Sequence, residues 1–185
     1  MKRKSPKTPA AAQPFRPPFG RRLLFTGEGK GKTTAALGMV LRAVGHGQTV
    51  HLAQFFKTGI SGEVATLRLL PEVRVSHDGL GLVRGDPEPH RQAARRLWQA
   101  VRDAEAAAPA RLLVLDEICL AAHWGFVGEA EVAELLYARP KDSVTVLTGR
   151  HAPPGLVAMA DTATDMRCLR HGATMGWPAQ KGVEL

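Results

Sequence analysis

The stretch from Leu23 to Thr34 reads Leu-Leu-Phe-Thr-Gly-Glu-Gly-Lys-Gly-Lys-Thr-Thr. An apolar run enters a glycine-rich turn and leaves it through Lys-Thr-Thr. These residue types suit the phosphates of a nucleotide. Glycines at 27, 29 and 31 let the backbone turn tightly and aim its N–H groups inward. The helix that follows adds its own unpaired N–H donors and partial positive charge. Lys32 supplies a full charge, and the Thr33 hydroxyl can ligate Mg²⁺ on the phosphates. The general pattern G-x-x-x-x-G-K-[ST] asks for glycine at position 26, where this chain has Thr26. A second group of the right type lies far along the chain. Leu112-Leu-Val-Leu115 runs straight into Asp116-Glu117. A buried strand ending in acids delivers carboxylates to the sheet edge, where they reach Mg²⁺ directly or through water.

Elements must bring these groups together. Arg22–Thr26 reads as a buried strand, and Lys32–Val44 as its helix, stopped by Gly45-His46-Gly47. Thr49–Phe56 is a second strand, which completes a βαβ unit with parallel strands. The loop Lys57–Glu63 falls at the edge where open α/β sheets bind ligands. Glu63–Leu70 reads as a short helix and Val73–Ser76 as a short strand. Asp78–Pro89 is a long glycine- and proline-rich loop, long enough to suspect a function. Pro89–Ala107 is an amphipathic helix with Ala93, Leu97, Trp98 and Val101 on one face and arginines on a solvated face. Arg111–Ile118, Ser143–Thr148 and Thr162–Leu169 read as strands, Gly128–Tyr137 and Pro154–Ala160 as helices. Gly172–Leu185 reads as irregular, with room for an edge strand. The alternation predicts an α/β fold: a three-layer sandwich of the P-loop NTPase kind, with a mostly parallel sheet of about five or six strands.

The 185 residues suit one folded domain. The net charge is +8. Residues 1–22 carry seven basic side chains and no acid, while the rest hold 18 basic and 17 acidic ones. Residues 1–21 are therefore expected to be a disordered, proline-rich basic tail, and 22–185 the folded domain. With a near-neutral folded part, nucleic acid is not an expected partner. No apolar run is long enough for a membrane span, and no secretory signal is recognisable. Cys119 and Cys168 suggest neither a disulfide framework nor a zinc site. A reducing cytoplasm is the expected compartment. His46, His51, His77, His90 and His123 are scattered, and surface or capping roles are expected for them.

Beyond the phosphate loop, several ordered segments resemble one family, the ATP:corrinoid adenosyltransferases of the CobA/BtuR type. Thr26 to Gly38 is similar to the family's loop, including its Thr-Gly opening. Arg42 to Gly47, Gln54-Phe55-Phe56-Lys57, Gly62-Glu63, Leu115-Asp116-Glu117, Thr148-Gly149-Arg150, Arg170-His171 and Ala179 to Glu184 follow at the family's spacing. The resemblance covers about residues 22–185. It implies an enzyme that transfers the 5′-deoxyadenosyl group of MgATP to the Co(I) of a corrinoid and releases triphosphate. Cob(I)alamin, cobinamide and cobyrinic acid a,c-diamide are the candidate substrates, in adenosylcobalamin synthesis or salvage. The resemblance also implies that ATP binds in a reversed sense, with C5′ exposed to the corrinoid.

Carried onto this chain, the resemblance assigns the nucleotide to Thr26, Gly27, Glu28, Gly29, Lys30, Gly31, Lys32, Thr33, Thr34, Arg42, Arg150 and His171. It gives Lys32, Arg42 and Glu117 the main catalytic roles. Thr33 and Glu117 become the Mg²⁺ ligands, with Asp116 behind them. Lys57, Glu63, Leu82 and Arg84 fall on the corrinoid side. A flavodoxin-type electron donor and a homodimer are the implied partners. In one loop the chain departs from the family, which usually reads Gly-Phe-Thr-Trp where this sequence has Gly81-Leu82-Val83-Arg84. The alternatives are a P-loop ATPase or small-molecule kinase acting at the γ-phosphate, and a nucleotide-dependent binding module using its basic tail.

Overall fold

A computed structural model describes residues 19–58 and 61–183. The expected basic tail therefore lies mostly outside the described residues, as do Gly59, Ile60 and Glu184. Among the described residues six strands form one sheet: β1 (Arg21–Thr26), β2 (Val50–Gln54), β3 (Val73–His77), β4 (Leu112–Asp116), β5 (Val144–Thr148) and β6 (Thr162–Asp165). Their order is β3-β2-β4-β5-β1-β6, and every pairing is parallel. The helices are α1 (Lys32–Val44), α2 (Gly62–Leu67), α3 (Glu88–Ala107), α4 (Ile118–His123), α5 (Glu129–Ala138) and α6 (Pro154–Met159).

The strand order explains the layers. From β1 to β3 the chain steps towards one edge, and from β3 onwards it steps back. Right-handed crossovers must then put the early and late helices on opposite faces. Accordingly, Ala36, Leu37 and Val40 of α1 pack with Val64 and Leu67 of α2 in one core. Residues of α3, α4, α5 and α6 share the other, around Trp98, Ile118, Val132 and Leu156. The α3 stripe is buried as its periodicity requires, at Ala93, Leu97, Trp98 and Val101. The expected three-layer sandwich is present, with all six strands parallel.

Three expectations need correction. The strand expected to run to Ile118 ends at Asp116, and the chain turns into α4. Glu117 makes this turn in the left-handed region, at φ 63°. The apolar Ile118-Cys119-Leu120 continues the pattern of a buried strand, so the helix was invisible to periodicity. The second correction is His51, which is fully buried and not on the surface. Its Nδ1 lies 2.9 Å from Glu105 Oε1 and its Nε2 3.2 Å from Ser76 Oγ. Arg22, which opens the expected strand Arg22–Thr26, is buried in β1. Its guanidinium lies 4.2 Å from the ring centres of both Phe19 and Tyr137. The third is the last strand, expected over Thr162–Leu169, which ends at Asp165, and Gly172–Met175 forms a 3₁₀ turn.

Candidate active site

The carboxyl ends of β1, β2, β4 and β5 converge on one crevice. Connections leave β1 and β2 towards one face and β4 and β5 towards the other, so the loops part and open a cleft. The turn after β1 occupies it. Gly27 and Gly31 have φ of 95° and 114°, a conformation that disfavours side chains. At Gly29 a Cβ would sit 2.5 Å from the Met166 carbonyl oxygen, so only glycine fits. The Gly29 N–H donates to that oxygen at 2.6 Å, tying the loop to the chain after β6.

Lys32 opens α1 and is buried. Its ammonium donates to the carbonyls of Gly27 at 2.6 Å and Gly29 at 2.8 Å. Burial lowers its pKa, the Glu117 carboxylate opposes that shift, and Arg150 adds to it. One positive charge is thus held at the centre of the loop.

Asp116 faces it from β4 and is fully buried. Its Oδ1 accepts from the Thr33 hydroxyl at 2.9 Å and the Thr148 hydroxyl at 2.6 Å. Its Oδ2 accepts from Gln54 Nε2 at 3.0 Å, with Lys57 Nζ 3.7 Å away. One carboxylate therefore joins α1, β2, β5 and the loop after β2. The Glu117 N–H donates to Thr148 Oγ1 at 2.9 Å, which fixes the left-handed turn. Burial raises the Glu117 pKa, and the adjacent Asp116 charge adds to the rise. Two successive carboxylates, one buried and one half-buried, with a threonine hydroxyl bonded to the first, offer the all-oxygen donors that Mg²⁺ takes.

The remaining expected residues divide. Glu28 is brought to the end of β5, 3.4 Å from Arg150 Nε and 3.8 Å from His151 Nε2. Lys30 donates to the Val183 carbonyl at 3.3 Å. The Thr26 hydroxyl accepts from the Ala152 N–H at 3.4 Å, and Thr34 is exposed on α1. Arg42 is not brought to the loop. It stands exposed in the last turn of α1, ten residues from Lys32, which at about 1.5 Å per residue is some three turns away. His171 caps the 3₁₀ turn, where its Nδ1 accepts from the Ala173 N–H. Glu63 is exposed in the first turn of α2, and Leu82 and Arg84 are exposed on the long loop.

Sequence reasoning passed over Gln54 and Thr148 as site residues, although both end strands at the same edge. It also missed Asp78. Its carboxylate accepts from the backbone N–H groups of Phe56 and Lys57, at 2.6 and 3.2 Å, and so ties the long loop to the end of β2.

Residues 19–185 match the profile of a family described as ATP:corrinoid adenosyltransferase BtuR/CobO/CobP. The chain is 38% identical over 167 residues to a corrinoid adenosyltransferase of Pseudomonas aeruginosa, covering 88% of this chain and 82% of that one. It is 34% identical over 164 residues to the corrinoid adenosyltransferase of Escherichia coli K12, and equally to that of Salmonella typhimurium, covering 88% of this chain and 84% of each relative.

Proposed function

The chain belongs to the ATP:corrinoid adenosyltransferase family and transfers the adenosyl group of ATP to a corrinoid; from that premise we propose how its own residues do so. The backbone N–H groups from Gly27 to Thr34 wrap the triphosphate. Lys32 exchanges the carbonyls of Gly27 and Gly29 for phosphate oxygens, and Lys30 adds a second cation from the rim. Arg150 gives up Glu28 for the nucleotide. Thr33 and Glu117 would hold Mg²⁺, while Asp116 orients Thr33 and Thr148 through its two hydrogen bonds. Mg²⁺, when bound, supplies charge that stabilises the departing triphosphate. Arg42 and His171 have no phosphate contact in this scheme.

The nucleophile is the substrate's own reduced cobalt. Its electron pair forms the cobalt–carbon bond at C5′ as the C5′–oxygen bond breaks and triphosphate carries those electrons away. The protein has to align C5′ with the cobalt and stabilise negative charge growing on the leaving group. A γ-phosphate kinase or ATPase is not favoured. We extend the proposal to a flavodoxin-type electron donor, a homodimer and a cytoplasmic setting. Among the described residues no helix is long and apolar enough to cross a membrane.

The observation that carries the mechanism is the joint position of Lys32, Thr33, Asp116 and Glu117 at one sheet edge. The test is anaerobic incubation with MgATP, cob(II)inamide or cob(II)alamin, and a strong reductant. A new cobalt–carbon chromophore with stoichiometric triphosphate is expected. ADP and phosphate with an unchanged corrinoid spectrum would overturn it.

A further inference from the structure

Beside the phosphate site the structure holds an aromatic surface to which the reading above gives no task. The Phe56, Trp124 and Phe126 rings meet pairwise, with centroids 5.6 to 6.1 Å apart. Phe56 and Phe126 are buried beneath, while Trp124 is 37% exposed. A cleft of about 370 Å³ opens over them, lined by Val83, Pro87, Arg91, Trp124 and Phe126. The Arg91 guanidinium lies over the Phe126 ring at 4.8 Å and marks the rim. A concave apolar wall with a few polar groups at its margin is the usual form of a small-molecule site.

Two chain connections join this cleft to the phosphate loop. Phe56 precedes Lys57, whose ammonium is 3.7 Å from Asp116. Trp124 follows His123, whose ring lies 4.9 Å from that of His151, and His151 in turn meets Glu28 of the loop. Phe56 and His151 both stand in the left-handed region, at φ 55° and 53°. Such strain is retained where the surroundings enforce it, which is common at working sites. The cleft is thus linked through Lys57 to Asp116 and through His123 and His151 to Glu28 of the phosphate loop.

We propose that Trp124, backed by Phe56 and Phe126, is the surface on which this enzyme lays the apolar face of the corrin. The inference rests on the adenosyltransferase reading and adds a specificity residue to it. A corrin is a broad, nearly flat macrocycle with amide or carboxylate arms around its edge. Its face matches the indole and its arms match Arg91. The assignment also accounts for Gly81-Leu82-Val83-Arg84. Here the long loop contributes Val83 to the lining of the cleft, and the aromatic area comes from the turn after α4.

The experiment compares Trp124→Ala, Trp124→Phe and the unmodified chain. Equilibrium binding of cobinamide is measured in the presence of MgATP, together with KM for cobinamide and for ATP. Trp124→Ala should weaken cobinamide binding and raise its KM by about tenfold, with KM for ATP unchanged. Trp124→Phe should stay within about threefold of the unmodified chain, because a ring remains. Unchanged cobinamide binding in Trp124→Ala overturns the inference, as does a Trp124→Phe loss equal to that of alanine. Failure of the unmodified chain to bind cobinamide also overturns it. If that chain binds cobinamide but releases no triphosphate, adenosyl transfer fails as a reading, and the binding comparison still decides the role of Trp124.

Discussion

Two buried carboxylates stand at opposite ends of the same sheet, and they are neutralised in opposite ways. At the amino ends of the strands, Glu105 of α3 is surrounded by cations. Arg139 and Arg74 pair with it, His51 lies 2.9 Å away, and the Ala110 N–H donates to it at 3.2 Å. At the carboxyl ends, Asp116 accepts from two hydroxyls and an amide, with a lysine at 3.7 Å. Burial would raise the Glu105 pKa, but the bond from His51 and the charge of Arg139 hold it below the ordinary carboxylate range. At the other edge, burial and Asp116 push the Glu117 pKa up. The first centre is electrically complete and ties α3, β2, β3 and α5 together. The second is held by hydroxyls and an amide, with one lysine at 3.7 Å, and these tie α1, β2 and β5 together at the edge where a nucleotide would arrive.

The largest effect should fall on the complete centre. Glu105→Ala strands Arg139 and His51 without their partner, and breaking a buried pair costs about 3–5 kcal/mol. Urea unfolding should show this loss while the ATP affinity of the folded fraction stays intact. A change in ATP affinity would mean that the two ends are coupled. Next comes Lys32→Ala, which removes the buried charge of the phosphate loop. MgATP binding should fall at least about a hundredfold, because two or more charge-assisted hydrogen bonds disappear. Calorimetry that found unchanged affinity would show that the loop does not hold the phosphates. Stability should move far less than in Glu105→Ala.

The two centres differ just as much in how readily a sequence discloses them. The working end was legible because its parts are local: Gly27 to Thr33 sit in one turn, and Asp116-Glu117 ends one apolar run. Each segment carries its chemistry in its own spacing. The structural end is assembled from His51, Arg74, Glu105 and Arg139, which no short pattern connects. Only the strand order brings them together, so His51 looked like one more scattered histidine. Glu105 falls on the buried stripe of α3, where periodicity expects an apolar residue. The aromatic cleft failed to show for a similar reason. Phe56, Trp124 and Phe126 come from two loops on adjacent strands, and α4, which places Trp124, imitates the end of a strand.

Acid should separate the two ends further. Glu105 has a depressed pKa when folded, so the unfolded chain binds its proton more readily. Its contribution is full above the unfolded value, about 4.3, and is lost as pH falls through the lower folded value. Glu105→Gln removes that dependence. Melting temperatures followed from pH 7 to pH 3 should show the unmodified chain ahead at neutral pH and the gap narrowing in acid. A gap that stays constant would mean that Glu105 does not stabilise the fold as a carboxylate.

The smallest expected change tests where the boundary of the working end lies. Arg84 is exposed on the loop that Asp78 ties to the end of β2, and Val83 beside it already lines the aromatic cleft. A tryptophan at 84 would add apolar area to the corrin side without touching Lys32, Thr33 or Asp116. If aromatic bulk on this loop limits the use of complete cobalamin, Arg84→Trp should raise kcat/KM for cob(I)alamin by about threefold to tenfold, with the ATP constants unchanged. A gain shared equally by cobinamide would point to general apolar contact, because cobinamide lacks the lower nucleotide arm. No gain with either corrinoid would mean that the cleft at Trp124 already supplies the aromatic surface and that the loop only closes over it.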